Sequence, residues 1–396
     1  VTRTVLQRRN ALFLLFALPG IGISSWVTRT PDVRDLVGAS TAEMGFILFG
    51  LSIGSMVGIL SSGPLVARVG TRTVIAAGTA SAALGVATVG IGAAAGNGLV
   101  VAIGLGLFGL GMGGGEVALN IEGAEVEKAI GRSVMPLMHG FFSLGTVVGA
   151  VVGMLLTAVE FPVGIHLIVV GAVICAALTV AVRDIPHGNG RRSATPSAAE
   201  DRPRGRGVWR DPRLLLVGGI ILALAMAEGT ANDWLPLLMV DGHGFDAALG
   251  SAIYAVFAAA MTLGRFIGGW FVDRFGRAAV LGGSALLGAL GLAVVIFVDS
   301  QVAAGAAVVL WGVGASLGFP VALSAAGDSG APSETAARVS FAATIGYVAF
   351  LVGPPVLGLL GEHYGLRAAM IVVLVLVAAA IFLAPAARNR SIVGIR

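Results

Sequence analysis

Apolar runs of twenty or more residues, separated by short polar stretches, cover most of the chain. A bilayer-spanning helix takes about 20 mostly apolar residues. Twelve runs meet that length: roughly 10–29, 41–66, 73–92, 98–121, 133–158, 162–182, 213–239, 249–272, 278–298, 301–325, 339–361 and 365–386. Many are rich in Val and Ile, yet a barrel strand would alternate in polarity over about 10 residues, and these runs do not. The pattern therefore predicts helices. Arg8 and Arg9 ahead of Ala11–Leu18 imitate a secretory leader. No A-x-A-like cleavage site follows, and Ser24, Ser25 and Trp26 continue the segment, so it reads as a first span.

Composition agrees with the pattern. Of the 396 residues, 57% are hydrophobic and 12% charged, against about 25% charged in soluble domains. That leaves too few charges to coat a water-facing surface, which excludes a soluble enzyme. The net charge is +4, but the basic residues fall in loops between spans and not on one face, so no nucleic-acid partner is expected. One cysteine, Cys175, supports neither a disulfide framework nor a Cys-based metal site, and no metal is expected. The preference for Arg over Lys and the wealth of Ala and Gly suggest a GC-rich bacterial genome. All but four of the 25 basic residues lie in one alternating set of loops; the exceptions are Arg29, Arg34, Arg367 and the intra-span Arg265. Cytoplasmic loops hold the positive excess, so both termini are expected in the cytoplasm of a plasma-membrane protein. The segment 183–212, rich in Arg, Ser, Pro and Gly, reads as a flexible basic linker. It divides the chain into 1–182 and 213–396, each with six spans.

The two halves repeat one another. Gly63-Pro-Leu-Val-Ala67-Arg68-Val-Gly70-Thr-Arg72 follows the second span, and Gly269-Trp-Phe-Val-Asp273-Arg274-Phe-Gly276-Arg277 follows the eighth. Gly70 and Gly276 stand 206 residues apart. Val117-Ala118-Leu119-Asn120 in the fourth span matches Val321-Ala322-Leu323-Ser324 in the tenth, and Trp26 matches Trp234. Matches in order at nearly constant offset indicate a duplicated six-helix unit.

With these loops, this span count and this linker, the whole chain resembles the major facilitator superfamily. Glu116-Val-Ala118-Leu-Asn120 resembles the E-x-A-x-N pattern of its fucose-permease-like branch. Met138-His139-Gly140-Phe-Phe-Ser-Leu-Gly145 and Glu228-Gly-Thr-Ala-Asn-Asp233-Trp234 are similar to a YbjJ-like subgroup. The resemblance implies an all-α integral membrane protein, with twelve transmembrane helices in two six-helix bundles. It also implies a gating role for Gly63, Arg68, Gly70, Arg72, Gly269, Asp273, Arg274, Gly276 and Arg277. In the fucose permease a glutamate equivalent to Glu116 works with an acid in the first span, which this chain lacks.

An ionisable side chain in a span costs about 2.5–3.5 kcal/mol on insertion scales, so such residues tend to face cavities. Glu116 sits some 15 Å into the fourth span at the helical rise, with Asn120 one turn on and on the same face. Glu228 lies near mid-span in the seventh helix, Asp233 further along it, and His139 about as deep in the fifth. These five are the candidate proton-coupling and substrate residues. Their structural alternative is a neutral, hydrogen-bonded group holding two helices together. Trp26, Phe141, Phe142, Trp234, Tyr254 and Tyr347 are candidate aromatic contacts to a solute ring. Arg265 lies within snorkelling reach of the cytoplasm. Glu122, Glu125, Glu127, Lys128 and Arg132 read as a solvated loop, and His166 as packing. Asp273 is expected to engage a neighbouring helix N-terminus or arginine, with Ala67 unable to do so in the other half.

No nucleotide-binding loop of the G-x-x-x-x-G-K-[ST] type is present. The expected function is secondary active transport of a small polar organic solute, a sugar among them, by alternating access. Proton symport is favoured, with the proton gradient as energy source and no cofactor. Proton-antiport efflux of a drug or metabolite is the alternative, and a membrane enzyme or sensor a remote one. The expected partners are the small-molecule substrate and the lipid bilayer, with a single copy sufficient for function.

Overall fold

The computed structural model describes residues 2–131, 134–191, 208–331 and 334–388. Most of the basic linker, together with Arg132, Arg390 and Arg396, lies outside the described residues. Among the described residues twelve helical segments are long and apolar enough to span a membrane: α1 (Arg3–Val27), α3 (Thr41–Val69), α4 (Thr71–Ala94), α5 (Gly98–Ile130), α6 (Met135–Ala158), α7 (Val163–Ala181), α8 (Pro212–His243), α9 (Ala247–Phe275), α10 (Arg277–Phe297), the pair α11 (Gln301–Ser316) and α12 (Gly318–Gly327), α13 (Thr335–Tyr364) and α14 (Leu366–Leu383). The predicted spans agree with these to within a few residues at most ends. A short helix, α2 (Thr30–Val37), follows α1 and was not legible in the hydropathy.

Contacts divide the chain into two compact units. One comprises Val1–Ala194 with Phe245–Ala258, the other Thr195–Gly244 with Ala259–Arg396. The first turns of α9 therefore pack with the first unit, where the Ser251 hydroxyl donates to the Thr28 carbonyl at 2.6 Å.

Small residues set the helix spacing in the first unit, because lipid tails supply no hydrophobic drive and close approach must. A methyl group on Gly109 of α5 would overlap the Leu51 carbonyl of α3. One on Gly111 would overlap the Gly78 carbonyl of α4. Gly20 and Gly145 bring α1 and α6 together in the same manner.

The repeat extends to backbone geometry at the turns between spans 2 and 3 and between spans 8 and 9. Gly70 (φ 86°, ψ 161°) and Gly276 (φ 78°, ψ 161°) both take a conformation that side chains avoid, and each starts the next helix.

Two sequence readings need correction at the ends of helices. α5 runs on to Ile130, so Glu122 lies inside a helix and is 0% exposed. It accepts from Arg8 Nε at 2.6 Å, Thr71 Oγ1 at 2.7 Å and Asn189 Nδ2 at 2.8 Å. A buried carboxylate needs such partners, and they come from α1, α4 and the segment after α7. Lys128 does remain exposed and Glu125 half-buried, 3.3 Å apart. Arg29, placed by sequence in an open loop, is 1% exposed. It donates to Asp32 Oδ2 at 2.8 Å, to His166 Nδ1 at 3.2 Å and to the Phe161 carbonyl. Burial pushes the Asp32 carboxyl above its ordinary range, against the downward pull of Arg29.

Candidate functional site

In the first unit, Glu116 and Asn120 share one face of α5. Glu116 is exposed, whereas the Oδ1 of Asn120 is buried and has no partner among the described residues. The glycine run Gly111–Gly115 ahead of them keeps that stretch of α5 slim. His139, near the start of α6, is exposed and meets Phe16 of α1 edge-on at 5.2 Å. Phe141, two residues along, stacks on Phe13 at 4.5 Å with the rings 6° from parallel. These two stacked rings, with Asn10, Leu14, Ala17 and Leu144, line a groove of about 500 Å³ between α1 and α6. Its lining is almost wholly apolar, and Leu14 and Leu144 at its rim are exposed.

In the second unit, Glu228 of α8 accepts from Arg265 Nη2 of α9 at 2.7 Å. The snorkelling expected of Arg265 is not seen: its guanidinium is held by the Glu228 carboxylate and faces the Ser316 carbonyl. The side chains keep 30% (Arg265) and 14% (Glu228) of their exposure, so the pair is desolvated only in part. Asp233 stands more than a turn away on α8, half-buried and without an ion pair or hydrogen bond among the described residues. The Trp311 Nε1 donates to the Ala227 carbonyl at 3.1 Å and so braces α8 just before Glu228.

The aromatic candidates separate by burial. Trp26, Trp234 and Tyr254 are 2%, 0% and 0% exposed, which removes them as solute contacts in this structure. Their size fits them to fill the interior of their own units. Phe141, Phe142 and Tyr347 are half-buried.

The gating residues also separate. Gly63, Arg68, Gly269, Asp273, Arg274 and Gly276 are exposed, and Asp273 has no ion pair or hydrogen bond among the described residues. Arg72 donates to the Ile185 carbonyl at 2.8 Å. Arg277 pairs with Asp328 at 2.6 Å. The expected Asp273 contact is therefore absent here, and Arg277 makes the contact in its place. The pair has an echo in the other unit, because Thr71 and Glu122 stand 206 residues before Arg277 and Asp328. The repeat as aligned within these helices does not expose the match, since the 204-residue offset of Val117–Asn120 with Val321–Ser324 sets Glu122 opposite Ala326. Arg265 with Glu228 had a weak signal, one basic and one acidic residue at mid-span in consecutive helices.

Fold and side chains together define a polytopic membrane protein of two repeated halves, each with ionisable groups inside its spans. The chain belongs to the major facilitator superfamily, whose family model matches residues 11–350 and 255–393. An uncharacterized MFS-type transporter of Yersinia pestis is 33% identical over 358 residues, covering 90% of this chain and 89% of that protein. Among solved structures, a point mutant of the nucleoside transporter NupG superposes with TM-score 0.78 at 16% identity, over 97% of this chain and all of that one. A point mutant of the Escherichia coli fucose:proton symporter FucP gives TM-score 0.65 at 18% identity, over 98% of this chain and all of that one.

Proposed function

We propose that this transporter is a secondary active one that couples a small polar organic solute to protons by alternating access in the cytoplasmic membrane. The observation that carries the reading is the pair of accessible intramembrane carboxylates, Glu116 in one unit and Glu228 in the other. Ionisable groups retained at that insertion cost mark ion and substrate pathways. One elementary charge crossing 100 mV supplies about 2.3 kcal/mol, equivalent to roughly 50-fold accumulation of a neutral solute. The proton gradient is the energy source in this reading, without a cofactor, and one copy of the chain suffices. Symport is the activity that the fucose:proton symporter is named for, and a sugar belongs to the solute class considered.

Counterflow in proteoliposomes, with a panel of sugars, nucleosides and organic acids, tests it. Solute exchange accompanied by proton movement in the same direction is the expected result; opposite movement would establish antiport. Glu116→Gln should keep exchange and lose accumulation against a gradient, because the amide imitates only the protonated acid. Full proton-driven accumulation by that variant would make Glu116 a structural residue.

A further inference from the structure

The tenth span is the only one interrupted at mid-length among the described residues. α11 stops at Ser316 and α12 starts at Gly318. Pro320 explains the break. The helical donor for the Ser316 carbonyl would be the N–H of residue 320, and proline has none. Arg265 Nε points at that carbonyl from 3.4 Å, while its Nη2 holds Glu228. A guanidinium is thus fixed at the C-terminal end of a half-helix, where a cation is favoured, and at the kind of helix break that builds transporter sites.

The ion pair is one-armed. Glu228 uses Oε1 alone, and neither its Oε2 nor Arg265 Nη1 has a partner among the described residues. Guanidinium binds carboxylates best through two parallel N–H donors, so Arg265 keeps capacity for a second acid. Apart from Asp233, more than a turn along α8, no other acidic or basic side chain of this unit lies in the middle of a span among the described residues. α11 and α12 carry none, those of α13 lie at Arg338 and at Glu362 and His363, α14 has Arg367, and α10 has Arg277. Tyr347 on α13 and Asp233 on α8 are the remaining titratable groups in the middle of these spans.

We propose that Arg265 recognises a carboxylate on the transported solute, which takes the guanidinium from Glu228 and leaves Glu228 to accept a proton. Charge balances at each step. The empty site holds Arg⁺ and Glu⁻. The loaded site holds Arg⁺, the solute carboxylate and a neutral glutamic acid, whose proton comes from the aqueous side the solute entered from. One organic anion and one proton load together. Before binding, Glu228 stands in for the solute, so Arg265 is never left unpaired in a span. This inference rests on the transporter reading and narrows its substrate class to organic acids.

Binding to the full-length protein in detergent tests it without requiring transport. Thermal stabilisation and tryptophan fluorescence would be read with acetate, benzoate and gluconate against acetamide, benzamide and glucose, at acidic and neutral pH. At least one acid should bind about tenfold or more tighter than its neutral partner, the scale of one charge-assisted hydrogen bond, and tighter at acidic pH. Glu228→Gln should strengthen that binding at neutral pH and flatten its pH dependence. Arg265→Gln should abolish it. So should the double variant Arg265→Gln/Glu228→Gln, which leaves no unpaired charge and guards against misfolding of the single one. Acid binding that survives in the double variant overturns the inference, as does a panel in which no acid outbinds its neutral partner. Arg265-dependent acid binding without flux upholds it and sinks the transport reading. Flux of a neutral solute that Arg265→Gln leaves unchanged does the reverse.

Discussion

Glu122 shows how much a single side chain can organise in this protein. Its carboxylate has no exposed surface and takes donors from Arg8, Thr71 and Asn189, so three separate stretches of chain converge on one group. Breaking a buried ion pair from one side costs about 3–5 kcal/mol, since the other charge stays buried alone. Arg8 retains some exposure (17%) and can partly rehydrate. Glu122→Gln should accordingly destabilise by about 3 kcal/mol, at the lower end of that range. Glu125→Gln, at a half-buried position in the same helix whose partner Lys128 is exposed, should change stability by less than about 0.5 kcal/mol. Thermal unfolding of the two variants in one detergent makes the comparison, and equal melting temperatures would show the Glu122 cluster to be energetically idle. The sequence showed five charges in a short stretch but not which one turns inward. Only the end of α5 beside α1 and α4 selects it.

At the scale of elements, helix ends do what apolar runs cannot. α8 begins at Asp211, whose side chain accepts from the backbone N–H groups of Arg213 at 2.9 Å and Leu214 at 3.5 Å. It also accepts from Arg338 Nη1 of α13 at 2.6 Å. Burial alone would raise this carboxyl; the Arg338 bond and the two backbone donors outweigh it and hold the group below its ordinary value. The sign follows. A depressed folded pKa contributes stability that is complete above the unfolded value, about 3.9, and is lost as pH falls through the folded one. The wild-type melting temperature should therefore drop on acidification below about pH 5. Asp211→Asn, which keeps the cap but not the charge, should show a shallower drop. Asp211→Ala should lose a further ~1 kcal/mol at neutral pH through the missing cap. Superimposable pH profiles for Asp211→Asn and wild type would refute the account. The cap and Pro212 are visible in the sequence as a helix start, but Arg338 stands 127 residues away and its arrival is tertiary.

For the whole molecule, topology is the property the charges address. All but four of the 25 basic residues fall on the side assigned to the termini and the linker, and positive charge favours the cytoplasm. A reporter fused after Arg396 should behave as cytoplasmic and one inserted at Asn97 as external. The opposite pattern would overturn the orientation, while leaving the count of twelve spans untouched.

The sequence alone determined the spans, because burying a peptide backbone in lipid demands long apolar helices whatever their neighbours are. It also determined the repeat, since duplicated turns need the same glycines and the same caps. It picked out Glu116 and Glu228, because acids inside apolar runs are costly wherever they end up facing. What it could not determine was pairing. Whether Arg265 reaches water or Glu228, whether Glu122 is wet or dry, and whether a tryptophan lines a site or fills a core all depend on which helix lies alongside. That choice is made by close packing at glycine contacts such as Gly109 with Leu51 and Gly145 with Ala17, and a glycine in the sequence does not say which helix it will meet. The break in the tenth span belongs to both levels. Pro320 frees the Ser316 carbonyl by its own covalent structure, but only the neighbouring helix supplies the guanidinium that answers it.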